Sequence, residues 1–240
     1  MILWGSGRWR DGRTTLGGMR VLPAGPDALL LDFGSDDDPA AAGEHAWRAL
    51  SEALAAGALP TITDLVPGAH TLLVQAESGS GVDDLGVRRA LRTATAATGR
   101  AAEPDTVTIP VVYDGADLDA VAALIGTGPG EVADIHRRTL WQVRFMGFAP
   151  GFAYLTPTAG SSDGPHPFHR IGRRPESRPR VPAGSVAIAA GYSAVYPRQS
   201  PGGWYLLGRT GVRLWDETAD RPALLAPGTL VRFAAEGDRR

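Results

Sequence analysis

The sequence contains no cysteine, no lysine and no long apolar run, and each absence excludes a class of function. Without cysteine there is no disulfide framework, thiolate nucleophile or thiolate zinc site. All 24 basic residues are arginine, so any catalytic cation must be a guanidinium. No apolar run approaches the roughly 18 residues of a membrane span, and residues 1–18 lack the apolar core of a signal peptide. We therefore expect a cytoplasmic protein that neither spans nor binds a membrane.

Charge and histidine spacing exclude two further classes. The net charge of -2 gives no electrostatic reason to expect nucleic acid as a partner. His166 and His169 are three residues apart, but they lie among prolines rather than on a helix, so we predict no metal site on this chain. The apolar fraction of 43% predicts an ordinary packed core.

The first part of the chain predicts a small α+β domain over residues 19–103. Residues 1–18 are interpreted as a leader that is either disordered or not part of the natural protein, with Met19 as the start. Apolar runs at 28–33 and 71–75 predict strands, and each is followed by apolar residues at helical spacing. This alternation of strand and helix predicts a ferredoxin-like arrangement.

Residues 104–236 predict a β-barrel domain. Glycine and proline recur every few positions from residue 140 onward and separate short strand-like runs, which is typical of a closed or nearly closed barrel. Before them, a helix beginning at Pro129 places His136 on its inward stripe. A histidine there is more typical of a hydrogen-bonded core residue than of a catalyst, although both remain open. The polar, arginine-rich segment 161–180 predicts a long, functional loop.

Three clusters in this domain are candidate sites, each with a structural alternative. The Pro-Gly turn within 147–155 could present N–H groups to an anion, or it could be a hairpin with aromatic core residues. Arginines flanking Pro179 suit carboxylate or phosphate recognition, but also a solvated face or an interface with another protein chain. The SPGGW run at 200–204 implies a tight bend near a ligand, or a structural turn with a core tryptophan; Arg209 ends the strand that follows.

Taken together, these runs resemble the signature of the family that comprises KipI and the B subunit of 5-oxoprolinase, which is also the allophanate hydrolase subunit 1 domain of urea carboxylases. The resemblance spans about residues 21–233 and is carried by FAPGFAYL (148–155), RPRVPAGSV (178–186), SPGGW (200–204) and GRT (208–210). In one departure, the family's usual GQTGIYP is GYSAVYP here, so Tyr192 and Ser193 replace glutamine and threonine. This departure leaves the identity of the substrate open.

The resemblance implies an N-terminal α+β domain and a C-terminal cyclophilin-like β-barrel. It implies the B subunit of an ATP-dependent 5-oxoprolinase, a hydrolase that opens 5-oxo-L-proline to L-glutamate only together with its KipA-like C subunit and its A subunit. ATP, with Mg²⁺, would be shared with those partners, and no biotin would be carried on this chain. Two alternatives stay open: an inhibitor that binds a sensor histidine kinase, and one half of a biotin-dependent urea-type carboxyltransferase.

The reaction requires cations and N–H donors at the developing oxyanion, which directs the choice of site residues. Arg209 is predicted to stabilise the anion, and His136 or Tyr154 to transfer a proton or position the substrate. The remaining predicted residues form the substrate and anion site: Arg180, Gly151, Phe152, Pro182, Ser200, Gly202, Gly203 and Trp204.

Overall fold

The computed structural model describes residues 15–16, 19–96, 105–158, 160 and 165–237. The chain divides into two compact units, residues 1–99 and 100–240. Most of the predicted leader, and residues 101–104 at the predicted domain boundary, lie outside the described residues. Thr15 and Leu16, at the end of that leader, form a short strand paired with the next one.

The first unit is an antiparallel sheet packed against two helices. Its elements, in chain order, are β1 (Thr15–Leu16), β2 (Met19–Pro23), β3 (Ala28–Asp32), α1 (Pro39–Ala55), β4 (Ile62–Pro67), β5 (Thr71–Ala76) and α2 (Asp84–Ala96). Among the described residues the sheet order is β1-β2-β3-β5-β4, and every neighbouring pair is antiparallel. Helix α1 begins with Pro39 and is capped by the Asp38 carboxylate, which accepts the Ala41 N–H at 3.0 Å.

An α+β unit is confirmed here, while the ferredoxin-like order stays a prediction. As in that order, β5 lies between β3 and β4, which are joined through α1. In the ferredoxin-like βαββαβ order, the strand on the other side of β3 would follow the second helix in the chain. Here that strand is β2, which precedes β3.

The second unit contains most of the β structure. Its elements are β6 (Thr106–Val111), α3 (Leu118–Ile125), α4 (Pro129–Arg138), β7 (Trp141–Met146), β8 (Ala153–Pro157), a 3₁₀ turn (Pro167–Arg170), β9 (Arg178–Val181), β10 (Ser185–Ala189), β11 (Tyr192–Val195), β12 (Ser200–Gly202), β13 (Tyr205–Arg209) and β14 (Leu230–Ala235). Strands β9 and β12 pair as a separate two-stranded ribbon. No helix among the described residues is long and apolar enough to span a bilayer.

The predicted nearly closed barrel is confirmed. The seven-stranded sheet has the order β13-β10-β11-β8-β7-β14-β6, in which only β14 and β6 are parallel. Its two end strands meet where the backbone N–H groups of Val112 and Arg209 each donate to the other residue's carbonyl at 2.9 Å. A methyl group on Gly208 would overlap the Val112 carbonyl, so glycine is needed at this closure. The cyclophilin-like assignment stays a prediction.

Candidate functional site

A pocket of about 190 Å³ opens beside the β9–β12 ribbon in the second unit. Its lining combines aromatic side chains, glycine backbone and one guanidinium: Phe148, Phe152, Tyr154, Arg173, Ser177, Tyr196, Pro201, Gly202, Gly203 and Trp204. A small pocket with apolar walls and a few convergent polar groups has the character of a small-molecule site.

The aromatic wall of the pocket is a packed cluster. The Phe152 ring lies 5.1 Å from the Tyr154 ring, 5.2 Å from the Tyr196 ring and 5.7 Å from the Trp204 ring, measured between centroids and in tilted or edge-on geometry. Phe152, Tyr196 and Trp204 are buried. Phe152 and Trp204 are therefore core residues, as the structural alternatives predicted, and they also line the pocket; ligand binding by these motifs stays a prediction.

The paired glycines of the SPGGW run allow two close approaches. A methyl group on Gly202 would overlap the Tyr196 hydroxyl, and one on Gly203 would come within 2.8 Å of the Ser177 Oγ atom. Ser177 belongs to the arginine-rich segment. The absence of side chains at the two glycines therefore lets this segment and the aromatic cluster both approach the backbone that lines the pocket.

Arg173 supplies the positive charge of the pocket. The structure assigns its side chain no ion pair or hydrogen bond within the described residues, and no acidic residue lines the pocket. Burial raises the pKa of the Tyr154 and Tyr196 phenols, and the nearby Arg173 charge opposes that rise. Both phenols are therefore protonated at neutral pH and can donate hydrogen bonds, beside a cation that suits a carboxylate.

A buried carboxylate anchors the segment that carries Arg173. Asp117, which is 3% exposed, accepts hydrogen bonds from the guanidinium groups of Arg174 and Arg178, the latter at 2.8 Å. Its other oxygen accepts the Leu206 backbone N–H at 2.7 Å. Both flanks of residues 175–177 are thus attached to the barrel, which limits where Arg173 and Ser177 can lie.

Five of the predicted site residues line this pocket: Phe152, Tyr154, Gly202, Gly203 and Trp204. The structure does not bring the others into its lining. Arg180 and Pro182 are exposed, Ser200 pairs with Val181 in the ribbon, and Gly151 packs against Leu214 and Trp215 with φ +78°. Arg209 is exposed and forms an ion pair with Asp114 at 2.9 Å.

His136 lies in the barrel core and is 0% exposed. Its Nδ1 atom is 2.8 Å from the Tyr113 hydroxyl and its Nε2 atom 2.8 Å from the Ser193 hydroxyl. Burial lowers the pKa of His136 to about 3, so the ring is neutral. Ser193 thus retains a hydroxyl at the departure from the family pattern, while Tyr192 packs edge-on against the Tyr154 ring at 5.7 Å. Through this contact the departure reaches a residue that lines the pocket.

Half of the lining was not named among the predicted site residues: Phe148, Arg173, Ser177, Tyr196 and Pro201. Phe148 and Pro201 do lie in the candidate clusters at 147–155 and 200–204. Arg173 and Ser177 do lie in the segment predicted to be a functional loop. Among several arginines in that segment, no spacing signal distinguishes the one that faces the pocket.

Comparisons with known proteins agree with the sequence signature. The model of the family "Carboxyltransferase domain, subdomain C and D" matches residues 19–225. A protein named as the B subunit of 5-oxoprolinase, from Escherichia coli O157:H7, is 37% identical over 181 residues, 74% of this chain and 80% of that protein. Another of the same name, from Bacillus subtilis, is 40% identical over 130 residues, 53% of this chain and 51% of that protein. The chain therefore belongs to the carboxyltransferase-domain family and, within it, to the group of KipI and the 5-oxoprolinase B subunits.

Solved structures support the fold. The crystal structure of TTHA0988 superposes with a TM-score of 0.69 at 34% identity; the match covers 88% of this chain and 40% of that one. The urea amidolyase of K. lactis, at 17% identity and a TM-score of 0.66, shares the fold, over 94% of this chain and 15% of that one. The chain thus spans about two fifths of the TTHA0988 chain and about half of the Bacillus subtilis relative.

Proposed function

We propose that this chain is the B subunit of an ATP-dependent 5-oxoprolinase complex and that its pocket binds 5-oxo-L-proline. The proposal is carried by one observation: a guanidinium with no ion pair within the described residues and two protonated phenols converge on a small aromatic pocket whose lining has no acidic residue. 5-Oxoproline carries a carboxylate for Arg173, a lactam carbonyl for a hydroxyl donor and an apolar ring edge for the aromatic wall. Relatives named as B subunits of 5-oxoprolinase support the same substrate.

The pocket residues have separable roles in this proposal. Arg173 holds the carboxylate, and the Tyr154 or Tyr196 hydroxyl donates to the lactam oxygen. Negative charge grows on that oxygen as a water oxygen bonds to the carbonyl carbon, before the ring C–N bond breaks and the released nitrogen takes a proton from the water. Tyr154 was predicted to transfer a proton or to position the substrate, and its place in the lining supports a positioning role. Arg180 and Arg209 were predicted to bind or stabilise the anion, but both lie outside the lining, so we now propose them as contacts with a partner protein.

The pocket does not fit a nucleotide. Its volume of about 190 Å³ is below the roughly 300–1,000 Å³ typical of sites for drug-sized ligands. Among the described residues, no group of three or more His, Asp or Glu side chains could hold a metal ion. We therefore place ATP and Mg²⁺ on the partner A and C subunits, and no step proposed here passes through them on this chain.

The test is ATP-dependent release of glutamate from 5-oxo-L-proline by the purified A and C subunits, with this chain added or omitted. We expect release only when all three are present. A well-folded complex that releases no glutamate would contradict the proposal. Release from a urea-type substrate, or binding to a sensor histidine kinase with no effect on 5-oxoproline, would support one of the two alternatives instead.

A further inference from the structure

Phe148 occupies a backbone conformation that does not suit its side chain. Its φ angle is +66°, in the left-handed region, where a bulky L-residue is disfavoured because its Cβ atom crowds the backbone. The turn between β7 and β8 imposes this conformation: Phe152 N–H donates to the Ala149 carbonyl at 2.9 Å, and Gly147 N–H donates to the Phe152 carbonyl at 3.2 Å. Glycine would satisfy the same turn without strain.

Packing in the core does not explain why position 148 carries a phenylalanine either. Its side chain is 60% exposed, so the ring gains little from the core. The ring lies at the pocket, 5.2 Å from the Phe152 ring and 6.5 Å from the Tyr196 ring, both in edge-on geometry. A strained backbone that carries an exposed apolar ring at a pocket is the combination expected where side-chain function outweighs stability.

We propose that Phe148 determines specificity by forming the outer wall of the pocket, against which the apolar ring of a small cyclic carboxylate packs while Arg173 holds the acid group. The inference rests on the proposed function, since both concern the same pocket, and it adds the residue that selects ring acids over short open-chain acids. Phe148 contacts the ring and not the carboxylate, so its removal affects one part of the ligand only.

The test compares two acids by NMR titration of the full-length chain: pyrrole-2-carboxylate, which has a planar ring, and acetate, which lacks one. We expect Phe148→Gly to weaken pyrrole-2-carboxylate about tenfold, the size of one lost ring contact, and to leave acetate unchanged. Arg173→Met weakens both acids. Phe148→Tyr, which keeps the ring, binds as the wild type does, and Leu124→Ala, which shortens another exposed apolar side chain, changes neither affinity.

Thermal unfolding tests the strain separately. We expect Phe148→Gly to unfold at a higher temperature than Phe148→Ala, by about 2–4 °C, because only glycine relieves the left-handed backbone. Equal weakening of both acids by Phe148→Gly, or a glycine variant less stable than the alanine variant, overturns the inference, as does a wild-type chain that binds neither acid. The titration does not depend on turnover, so failure of the glutamate-release assay leaves its result intact.

Discussion

The hydroxyl of Tyr196 occupies the space beside Gly202 that any side chain at that position would fill. Tyr196 is buried and packs edge-on against Phe152, so its ring has little freedom to move away. The SPGGW backbone is therefore shaped around a phenol that also lines the pocket, which explains the glycine at position 202 without reference to turn geometry.

Gly202→Ala tests this relationship. The added methyl group must displace the Tyr196 hydroxyl, and we expect a loss of about 1–3 kcal/mol in the free energy of unfolding. Because the phenol is a proposed donor to the substrate, we also expect at least a tenfold loss in kcat/KM for 5-oxoproline in the complex. Gly211→Ala is the matched control, since nothing lies within 4 Å of a methyl group there. Wild-type activity of Gly202→Ala would remove Tyr196 from the proposal.

Arg173→Met tests the charge of the pocket. Methionine retains an apolar stem but has no cation, so we expect the KM for 5-oxoproline to rise about 10–100-fold, the range for a lost hydrogen bond to a charged group. Arg232→Met makes the same charge change at an exposed position on β14 and is expected to have no effect. Arg180→Met separates the two arginine hypotheses: if it raises KM and Arg173→Met does not, the site lies at the residues first predicted from the sequence.

The sequence predicts those lining residues that form an unusual run with a cost in backbone entropy. Gly202, Gly203 and Trp204 stand out in the sequence, because two adjacent glycines beside a tryptophan imply a tight bend or a close contact in the folded chain. All three line the pocket. Arg173 could not be identified in this way, because an arginine's partner depends on contacts distant in sequence. Arg174 and Arg178 are paired with Asp117, whereas Arg173 has no ion pair within the described residues.

The fold, too, could be predicted where a local sequence signal exists and not where distant residues pair. Pro129 begins α4 as expected, with Gly128 at its cap, since proline at the first helical position is a local signal. The strand β4 was missed because its alternation is weak, with mostly exposed residues after Ile62. The parallel pairing of β14 with β6 joins residues more than a hundred positions apart, and no local pattern specifies such a partner.

Asp117→Asn tests the anchor of the arginine-rich segment. The variant leaves two guanidinium groups without their buried partner, so we expect a loss of about 3–5 kcal/mol in the free energy of unfolding, measured by urea denaturation. Asp114→Asn is the matched control: the Asp114–Arg209 pair is exposed, and we expect a loss below about 1 kcal/mol. Similar losses in the two variants would show that Asp117 does not anchor the segment.

Two buried histidines make the folded state sensitive to acid. Thr139 donates its hydroxyl to the Ile135 carbonyl at 2.7 Å, so it accepts from His166 Nε2 at 2.9 Å. The Nδ1 atom of His166 accepts the Phe168 N–H at 3.3 Å, which requires a neutral ring. Burial lowers the pKa of His166 to about 4 and, with the nearby His166, that of His136 to about 3.

Because both pKa values are depressed below the ordinary 6.5, the unfolded chain binds these protons more readily than the folded one. The stability they support is complete above about pH 6.5, and it falls as the pH drops toward the folded values near 4 and 3. We expect a loss of up to about 1.4 kcal/mol per pH unit for each histidine, measured by urea denaturation between pH 7.5 and 5. His166→Asn keeps an acceptor for Phe168 but does not titrate, so it should reduce the slope by about half. His45→Gln, at an exposed position, is the matched control, and a flat wild-type profile would show that neither ring stays neutral by burial.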